Sequence, residues 1–317
     1  MIGAGDWARR MLLPNFKAEG VEFAAIATAS GVSAVNAGRR FGFERVAEGA
    51  EEVLADAGVN LVVIATRHDT HAELARRALE AGRHVFVEKP LALSEEELEA
   101  VLEAARRAPG RLSVGFNRRF SPLAQRAKEF FKDCGGPLSF VYRVNSGRVP
   151  REHWTQDARE GGGRLIGEVC HFVDLMHYWA GAHAARVYAE SVRGRDAQTV
   201  DEDSLMLTLG FADGSNGVVA YLAEGDKSLA KERVEIFGGG RTFVLEDFRA
   251  ASLHKAGREE RVKLRAQDKG QAAQARAVCA AVTGRAPAPI PLEDLAATTR
   301  ATFRALESLR AGRALDV

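Results

Sequence analysis

The stretch Gly3-Ala4-Gly5-Asp6-Trp7-Ala8 matches the pattern G-x-G-x-x-(G/A), and its reading decides the fold of the first part of the chain. The first glycine of such a turn permits a tight reversal, and the second lets backbone come close to a pyrophosphate. A helix starting near Trp7 would present its free amides and positive dipole end to that anion. Taken singly the motif is weak, since Gly-Ala-Gly recurs by chance in a Gly- and Ala-rich chain. Its setting gives it weight. Short apolar runs at Glu22–Thr28, Leu61–Ala65, His84–Val87 and Arg111–Gly115 alternate with helical patterns at Ala8–Ala18, Gly31–Phe41, Ala50–Ala57, Thr70–Ala81 and Ser94–Ala108. That alternation is the signature of βαβ units and a parallel sheet. The last helix opens with Ser94-Glu95-Glu96-Glu97, a capping box.

Beyond about residue 118 the pattern turns β-rich, with strands expected at Leu138–Asn145, Ala185–Val192, Ser204–Phe211, Asn216–Leu222, Arg233–Phe237, Thr242–Glu246 and Arg261–Leu264. Turn signals at Asp213-Gly214 and Gly238-Gly239-Gly240 suit antiparallel hairpins. The fold class is therefore α/β plus α+β. Residues 1–118 form a doubly wound, Rossmann-type parallel sheet, and residues 119–317 a domain on a large, mostly antiparallel sheet. Helices at Ala272–Thr283 and Leu292–Arg310, split by Pro287–Pro291, are free to pack on either domain. Only Met1 and Ile2 precede Gly3, where a central strand of about five residues is expected. A chain extending upstream of Met1 is anticipated, because a shortened central strand leaves ladder groups unpaired.

At 317 residues and 46% hydrophobic, the chain suits about two domains with sizeable cores. Its 44 Lys plus Arg balance 43 Asp plus Glu, a net charge of +1, which excludes a global field recruiting nucleic acid or an anionic membrane. Cys134, Cys170 and Cys279 form no CxxC pair, as suits a reducing compartment. With no apolar run of about 18 residues and no leader pattern, a cytoplasmic protein is expected.

Two further positions bear on chemistry. The end of the second strand reads Ala27-Thr28-Ala29-Ser30-Gly31, without the acid that holds a ribose 2′-hydroxyl in NAD-preferring folds. Thr28, Ser30 and nearby amides could take a 2′-phosphate, with Arg39 or Arg40 as charge, so between the two forms of NAD(P) the reading leans to NADP. Val85-Phe86-Val87-Glu88-Lys89-Pro90 then places a charged pair directly after a buried strand, at the carboxyl end of the sheet where such folds bind ligands. Lys89 there could exchange a proton with a substrate hydroxyl, although composition alone fits a surface ion pair. His171, Asp174 and His177 fall at i, i+3 and i+6, and about 240° separates the first from the last, so no metal site is expected. The Arg258–Arg265 segment, of both charge signs, reads as an exposed hairpin.

Four segments stand in a fixed order: Gly3–Ala8, Ala65-Thr66-Arg67-His68-Asp69-Thr70-His71, Ala78–Pro90 and Gly115-Phe116-Asn117-Arg118-Arg119-Phe120. With Gly161-Gly162-Gly163, His171, Asp174 and the Pro287–Arg310 tail, they resemble the Gfo/Idh/MocA family of glucose–fructose oxidoreductase and inositol dehydrogenase type. The nearest likeness is to a subgroup found as the carboxy-terminal part of two-part oxidoreductases, whose amino-terminal part is similar to zinc-type alcohol dehydrogenases. Such a parent, or an upstream start of the same chain, accounts equally for the short first strand.

The resemblance implies a cofactor held by Gly3, Gly5, Asp6 and Trp7, with Thr66, His68, His71 and Glu88 along its ribose and nicotinamide, and Lys89 as catalytic lysine. It implies His171 as the substrate-orienting or proton-relaying residue, on a helix over Val169–Trp179. Arg119, Asn145, Trp154 and Glu168 are candidate substrate contacts. Many relatives carry Asp four residues before that histidine. Gly167 stands there, and Glu168, one step of about 100° further round a helix, need not replace it. The expected activity is hydride transfer at a carbinol of a sugar, polyol or nucleotide sugar, in a homo-dimer or tetramer paired through the second sheet. A dinucleotide-binding sensor without turnover and a reductase of an aldehyde, imine or tetrapyrrole remain the alternatives.

Overall fold

In the computed structural model, residues 1–192 and 202–317 are described. The chain divides into two compact units, residues 1–116 with 271–296, and residues 117–270 with 297–317. Sequence reading counts residues 119–317 as the second domain and leaves the helices Ala272–Thr283 and Leu292–Arg310 free to pack on either domain; the segment 271–296 belongs to the first unit. The reason is packing: Ala275, Val278 and Cys279 of the helix Gln271–Val282 share a core with Ala8, Leu12, Leu13 and Phe16.

In the first unit β1 (Ala25–Ile26) pairs with β2 (Arg45–Val46), and β3 (Leu61–Ile64), β4 (His84–Val87) and β5 (Leu112–Val114) pair in that order, all parallel. Ile2 bridges the two groups, lying parallel to both Ala27 and Ile64. The Met1 ammonium donates to Ala25 O, Ile2 N to Val63 O and Gly3 N to Ala27 O, each at 2.8 Å. Met1–Gly3 thus fills the central place, and the glycine turn leaves from it. The helix after that turn is not uniform, since Ala8–Leu12 is a π-turn that runs into the α-helix Leu13–Ala18. Ser94 accepts from Glu97 N as expected, while the Glu97 carboxylate reaches back to Leu93 N. The short strand β2 was not legible, because two residues carry no periodicity.

The second unit is built on β6 (Ser139–Asn145), β7 (Ala184–Ser191), β8 (Leu205–Phe211), β9 (Asn216–Leu222), β10 (Glu232–Gly238), β11 (Arg241–Glu246), β12 (Ala250–Lys255), β13 (Arg258–Lys263) and β14 (Leu315–Asp316). Among the described residues these form a nine-stranded sheet in the order β13-β12-β11-β10-β6-β9-β8-β7-β14, antiparallel except for the β6–β9 pair. The strand β12 and the helix Pro122–Phe131 escaped the sequence reading, and the expected strand Arg261–Leu264 is the second arm of the β12–β13 hairpin. On one sheet face Phe140, Tyr142 and Val144 pack with Phe172, Met176 and Trp179 of the helix Cys170–Ala180. That helix is entered through a second π-turn, Leu165–Val169, so the uniform 100° step assumed for Gly167 and Glu168 does not hold there.

Candidate functional site

The first unit carries the nucleotide-type half. Gly3 sits at φ +89°, and a Cβ there would lie 2.3 Å from the Ala65 carbonyl oxygen, so the turn passes beneath the end of β3 with room for hydrogen only. At Gly5 a Cβ would meet nothing within 4 Å, so the backbone there is bare toward open space at a helix start, the arrangement a dinucleotide phosphate requires. Asp6 and Trp7 are exposed, and Asp6 pairs with Arg9 at 2.6 Å. Thr28 donates its hydroxyl to Ser30 O at 2.6 Å, and Ser30 precedes the helix Gly31–Phe41 without capping it by its side chain. Arg39 and Arg40 lie in that helix's last turn, about 13 Å along its axis from Ser30, and so are not the charge expected beside Thr28 and Ser30.

The end of β4 is the most closely built part. Glu88 is buried, and its Oε1 accepts from Trp7 Nε1 at 2.8 Å. Its carboxylate fills the space where a side chain at Gly115 would go, 2.7 Å from a Cβ there. Burial raises its pKa, against the pull of the adjacent Lys89 charge. Lys89 follows, half-buried. His71, expected along the cofactor, is 1% exposed with both ring nitrogens against backbone carbonyls. Nδ1 lies 2.8 Å from Pro90 O and Nε2 3.3 Å from Thr66 O. It ties the loop after β3 to the turn after Lys89. Burial lowers its pKa to about 4, so it is neutral near pH 7. Thr66 is linked to Thr70 by a 2.7 Å hydroxyl contact, and His68 is buried with its ring 5.6 Å from that of His71.

The second unit carries the other candidates. His171 is buried on the helix Cys170–Ala180. Glu168 is held from three sides: Oε2 accepts from Arg164 Nη2 at 2.9 Å and the Tyr221 hydroxyl at 2.6 Å, and Oε1 from Lys231 Nζ at 2.6 Å. Burial pushes its carboxyl up, but Lys231 and Arg164 outweigh burial and hold it below the usual carboxylate range. Arg119 is buried and forked onto the fully buried Asp174, at 3.0 and 2.6 Å, so it anchors the helix rather than walling a pocket. Asn145 donates to Asp226 O at 2.7 Å and Leu229 O at 3.2 Å, which makes it a loop anchor as well. Trp154 is half-buried in a single 3₁₀ turn, Trp154–Gln156. His177 is 3.0 Å from the Thr298 hydroxyl and accepts from Ala184 N at 2.9 Å. No group of three His, Cys, Asp or Glu suited to a metal occurs among the described residues. Nor is any helix there long and apolar enough to cross a membrane.

Sequence reading missed Arg164, Tyr221 and Lys231 around Glu168; the i,i+4 spacing of Arg164 and Glu168 was a local signal, whereas Tyr221 and Lys231 are brought there only by the sheet. A second buried cluster was equally hidden. Glu232 accepts from Arg118 at 2.9 Å on both oxygens, from Lys269 at 2.6 Å and from the Tyr142 hydroxyl at 2.5 Å. Burial pushes the Glu232 carboxyl up, but Arg118 and Lys269 together outweigh burial and hold the pKa at about 2.

One unit carries a glycine turn that leaves the centre of a parallel sheet, and the other a nine-stranded, mostly antiparallel sheet, the first being the arrangement of dinucleotide-binding folds. The "oxidoreductase family, NAD-binding Rossmann fold" pattern matches residues 1–116, and the "GFO/IDH/MocA C-terminal domain" pattern residues 125–244. The chain belongs to the Gfo/Idh/MocA family. It is 28% identical over 209 residues to the myo-inositol 2-dehydrogenase of Thermotoga maritima, covering 65% of this chain and 62% of that one. It is 33% identical over 190 residues to the scyllo-inositol 2-dehydrogenase (NAD(+)) of Bacillus subtilis, covering 57% and 54%. The matched stretch thus spans less than two thirds of either relative's length. In fold it is similar to levoglucosan dehydrogenase in complex with NADH and levoglucosan, with TM-score 0.87, 23% identity, and coverage of 100% of this chain and 98% of that chain.

Proposed function

We propose that this chain is an NAD(P)-dependent dehydrogenase that oxidises a carbinol of a sugar, polyol or nucleotide sugar. The observation that carries the reading is the end of β4: Lys89 follows a buried Glu88 whose carboxylate is fixed by Trp7, the residue two beyond the open Gly5 backbone. A bound nicotinamide would supply the hydride acceptor. Gly3 and Gly5 shape the phosphate turn, and Lys89 Nζ takes the proton of the substrate hydroxyl as the C–H bond breaks. His171 orients the substrate or relays that proton. The end of β1 has no carboxylate to repel a 2′-phosphate, so NADP is the expected form, read by hydroxyl and amide groups.

Calorimetric titration with NAD⁺, NADH, NADP⁺ and NADPH tests the cofactor reading, and Lys89→Ala tests the chemistry. The variant should keep cofactor affinity and lose polyol oxidation, whereas unchanged oxidation would remove Lys89 from the mechanism. A homo-oligomer through the large sheet is also proposed. Its outward face carries the cross-strand row Tyr188, Thr208, Val218 and Val141, with Val141 and Tyr188 exposed. Light scattering should give a mass above one chain, and Val141→Glu should lower it; a monomer in the unaltered protein refutes this pairing.

A further inference from the structure

Lys89 sits between two fixed neighbours. After it, the Pro90 carbonyl oxygen lies 2.8 Å from His71 Nδ1. Before it stands Glu88, 8% exposed, whose main-chain N donates to Ile64 O at 2.9 Å at the end of β3. The Glu88 carboxylate has a donor on each oxygen: Trp7 Nε1 on Oε1 at 2.8 Å, and the Lys89 main-chain N on Oε2 at 3.3 Å. Gly115, just past β5, closes a further side, since a Cβ there would fall 2.7 Å from Oε2. An indole N–H and an amide N–H only donate, so this seat suits a carboxylate, and a proton on either oxygen weakens or displaces the donor found there. Trp7 comes from the glycine turn, 81 positions away in sequence, and although 45% exposed it sends its one polar hydrogen to this buried group.

We propose that Trp7 is a positioning residue that acts on Lys89 through Glu88: the indole N–H keeps the carboxylate turned onto the Lys89 amide, and loss of that bond frees the strand end that carries the lysine. This rests on the proposed dehydrogenase reading and adds to it a residue that holds the proton acceptor in place without being one. The charge on Glu88 follows from the same contacts. Burial raises its pKa, Lys89 and then Trp7 pull it down, and Lys89 is the charged group that acts on it. His71, the other titratable group on this segment, bonds Pro90 rather than Glu88 and stays neutral down to about pH 4. A donor lost at Oε1 therefore lets Glu88 take a proton at higher pH, and that proton weakens the remaining hold from the Lys89 amide. The glycine turn and the lysine, far apart in sequence, are then one mechanical piece.

Trp7→Phe keeps an aromatic ring and removes the donor. In the full chain without ligand, the Glu88 carboxyl carbon, assigned by its loss in Glu88→Gln, is followed by NMR against pH. Its protonation midpoint is expected to rise by about one pH unit or more in Trp7→Phe, and the Lys89 amide to exchange faster with solvent at the same pH. With saturating dinucleotide and whichever of levoglucosan, myo-inositol and D-xylose the unaltered chain oxidises, kcat is expected to fall about tenfold with KM within about twofold. The acid limb of kcat should move up with the NMR midpoint. In a Glu88→Gln background, Trp7→Phe should change kcat by less than about twofold. A midpoint that stays in place overturns the inference and leaves Trp7 a contact of the dinucleotide only. So does a midpoint that moves while kcat and its acid limb do not, or an equal loss of kcat in both backgrounds. If the unaltered chain oxidises none of the three, the role in turnover falls, and calorimetric titration with the dinucleotides tells whether the dehydrogenase reading falls with it. The Glu88 midpoint by itself still decides whether Trp7 holds the carboxylate.

Discussion

Gly3 and Gly5 are two residues apart in one turn, and the structure assigns them opposite sensitivities to the same methyl group. In Gly5→Ala the added carbon meets nothing within 4 Å, so urea unfolding should change by no more than about 0.5 kcal/mol. The methyl would stand where a phosphate comes close to backbone, and pushing that anion away from the helix-start amides weakens charge-assisted hydrogen bonds of about 1.5–3 kcal/mol. Dinucleotide affinity should therefore fall roughly ten- to a hundredfold. In Gly3→Ala the carbon lands 2.3 Å from the Ala65 carbonyl oxygen, a backbone atom with no rotamer to yield, and the residue is held at φ +89°. Backbone strain of about 1–3 kcal/mol plus overpacking of similar size should cost the first unit about 3 kcal/mol or more. Calorimetry with the dinucleotides and urea unfolding of the same preparations measure both quantities. Native affinity in Gly5→Ala, or native stability in Gly3→Ala, would refute the assignment of this turn to phosphate.

Gly115→Ala meets a side chain rather than backbone, so Glu88 can move aside but must give up Trp7, at a cost of about 1–3 kcal/mol. In a Glu88→Ala background the same change should cost under about 0.5 kcal/mol, and additivity of the two variants in urea unfolding would disprove the coupling. His71 has its folded pKa depressed from 6.5 to about 4, so below pH 6.5 the unfolded chain binds the extra proton first. Stability should fall as pH drops from about 6.5 to 4 and then level off with respect to this group. His71→Gln should flatten that part of the profile; an unchanged slope in thermal unfolding across the window would remove His71 as its source.

Much of this molecule was written along the chain. The helix Gly31–Phe41 and the strands His84–Val87 and Asn216–Leu222 fall where periodicity puts them, because each is long or apolar enough to announce its own repeat. Gly3, Glu88 and Lys89 were legible for a different reason: a glycine turn and a charged pair at a strand end are local patterns with local causes. The fates of Arg119, Asn145 and His71 were not legible. In sequence each is a polar residue near a motif, and only tertiary contact shows its hydrogen-bonding groups directed to Asp174, to the loop Asp226–Leu229 and to two backbone carbonyls.

Glu168 shows the limit most clearly. Counting 100° per residue places it off the position of the expected aspartate, but the π-turn Leu165–Val169 changes that count, and no composition marks it. Its partners Arg164, Tyr221 and Lys231 come from the π-turn's entry, a strand end and the residue before another strand, over 67 positions of sequence. Sequence by itself determined the fold class, the tight glycine turn at Gly3 and the place of the charged pair Glu88-Lys89 at a strand end, since short-range sterics and hydrophobic periodicity suffice for those. Which buried charges pair, only the tertiary structure decided. A buried polar group takes whichever partner packing brings within about 3 Å, and that is a property of the assembled sheet and not of the neighbouring residues.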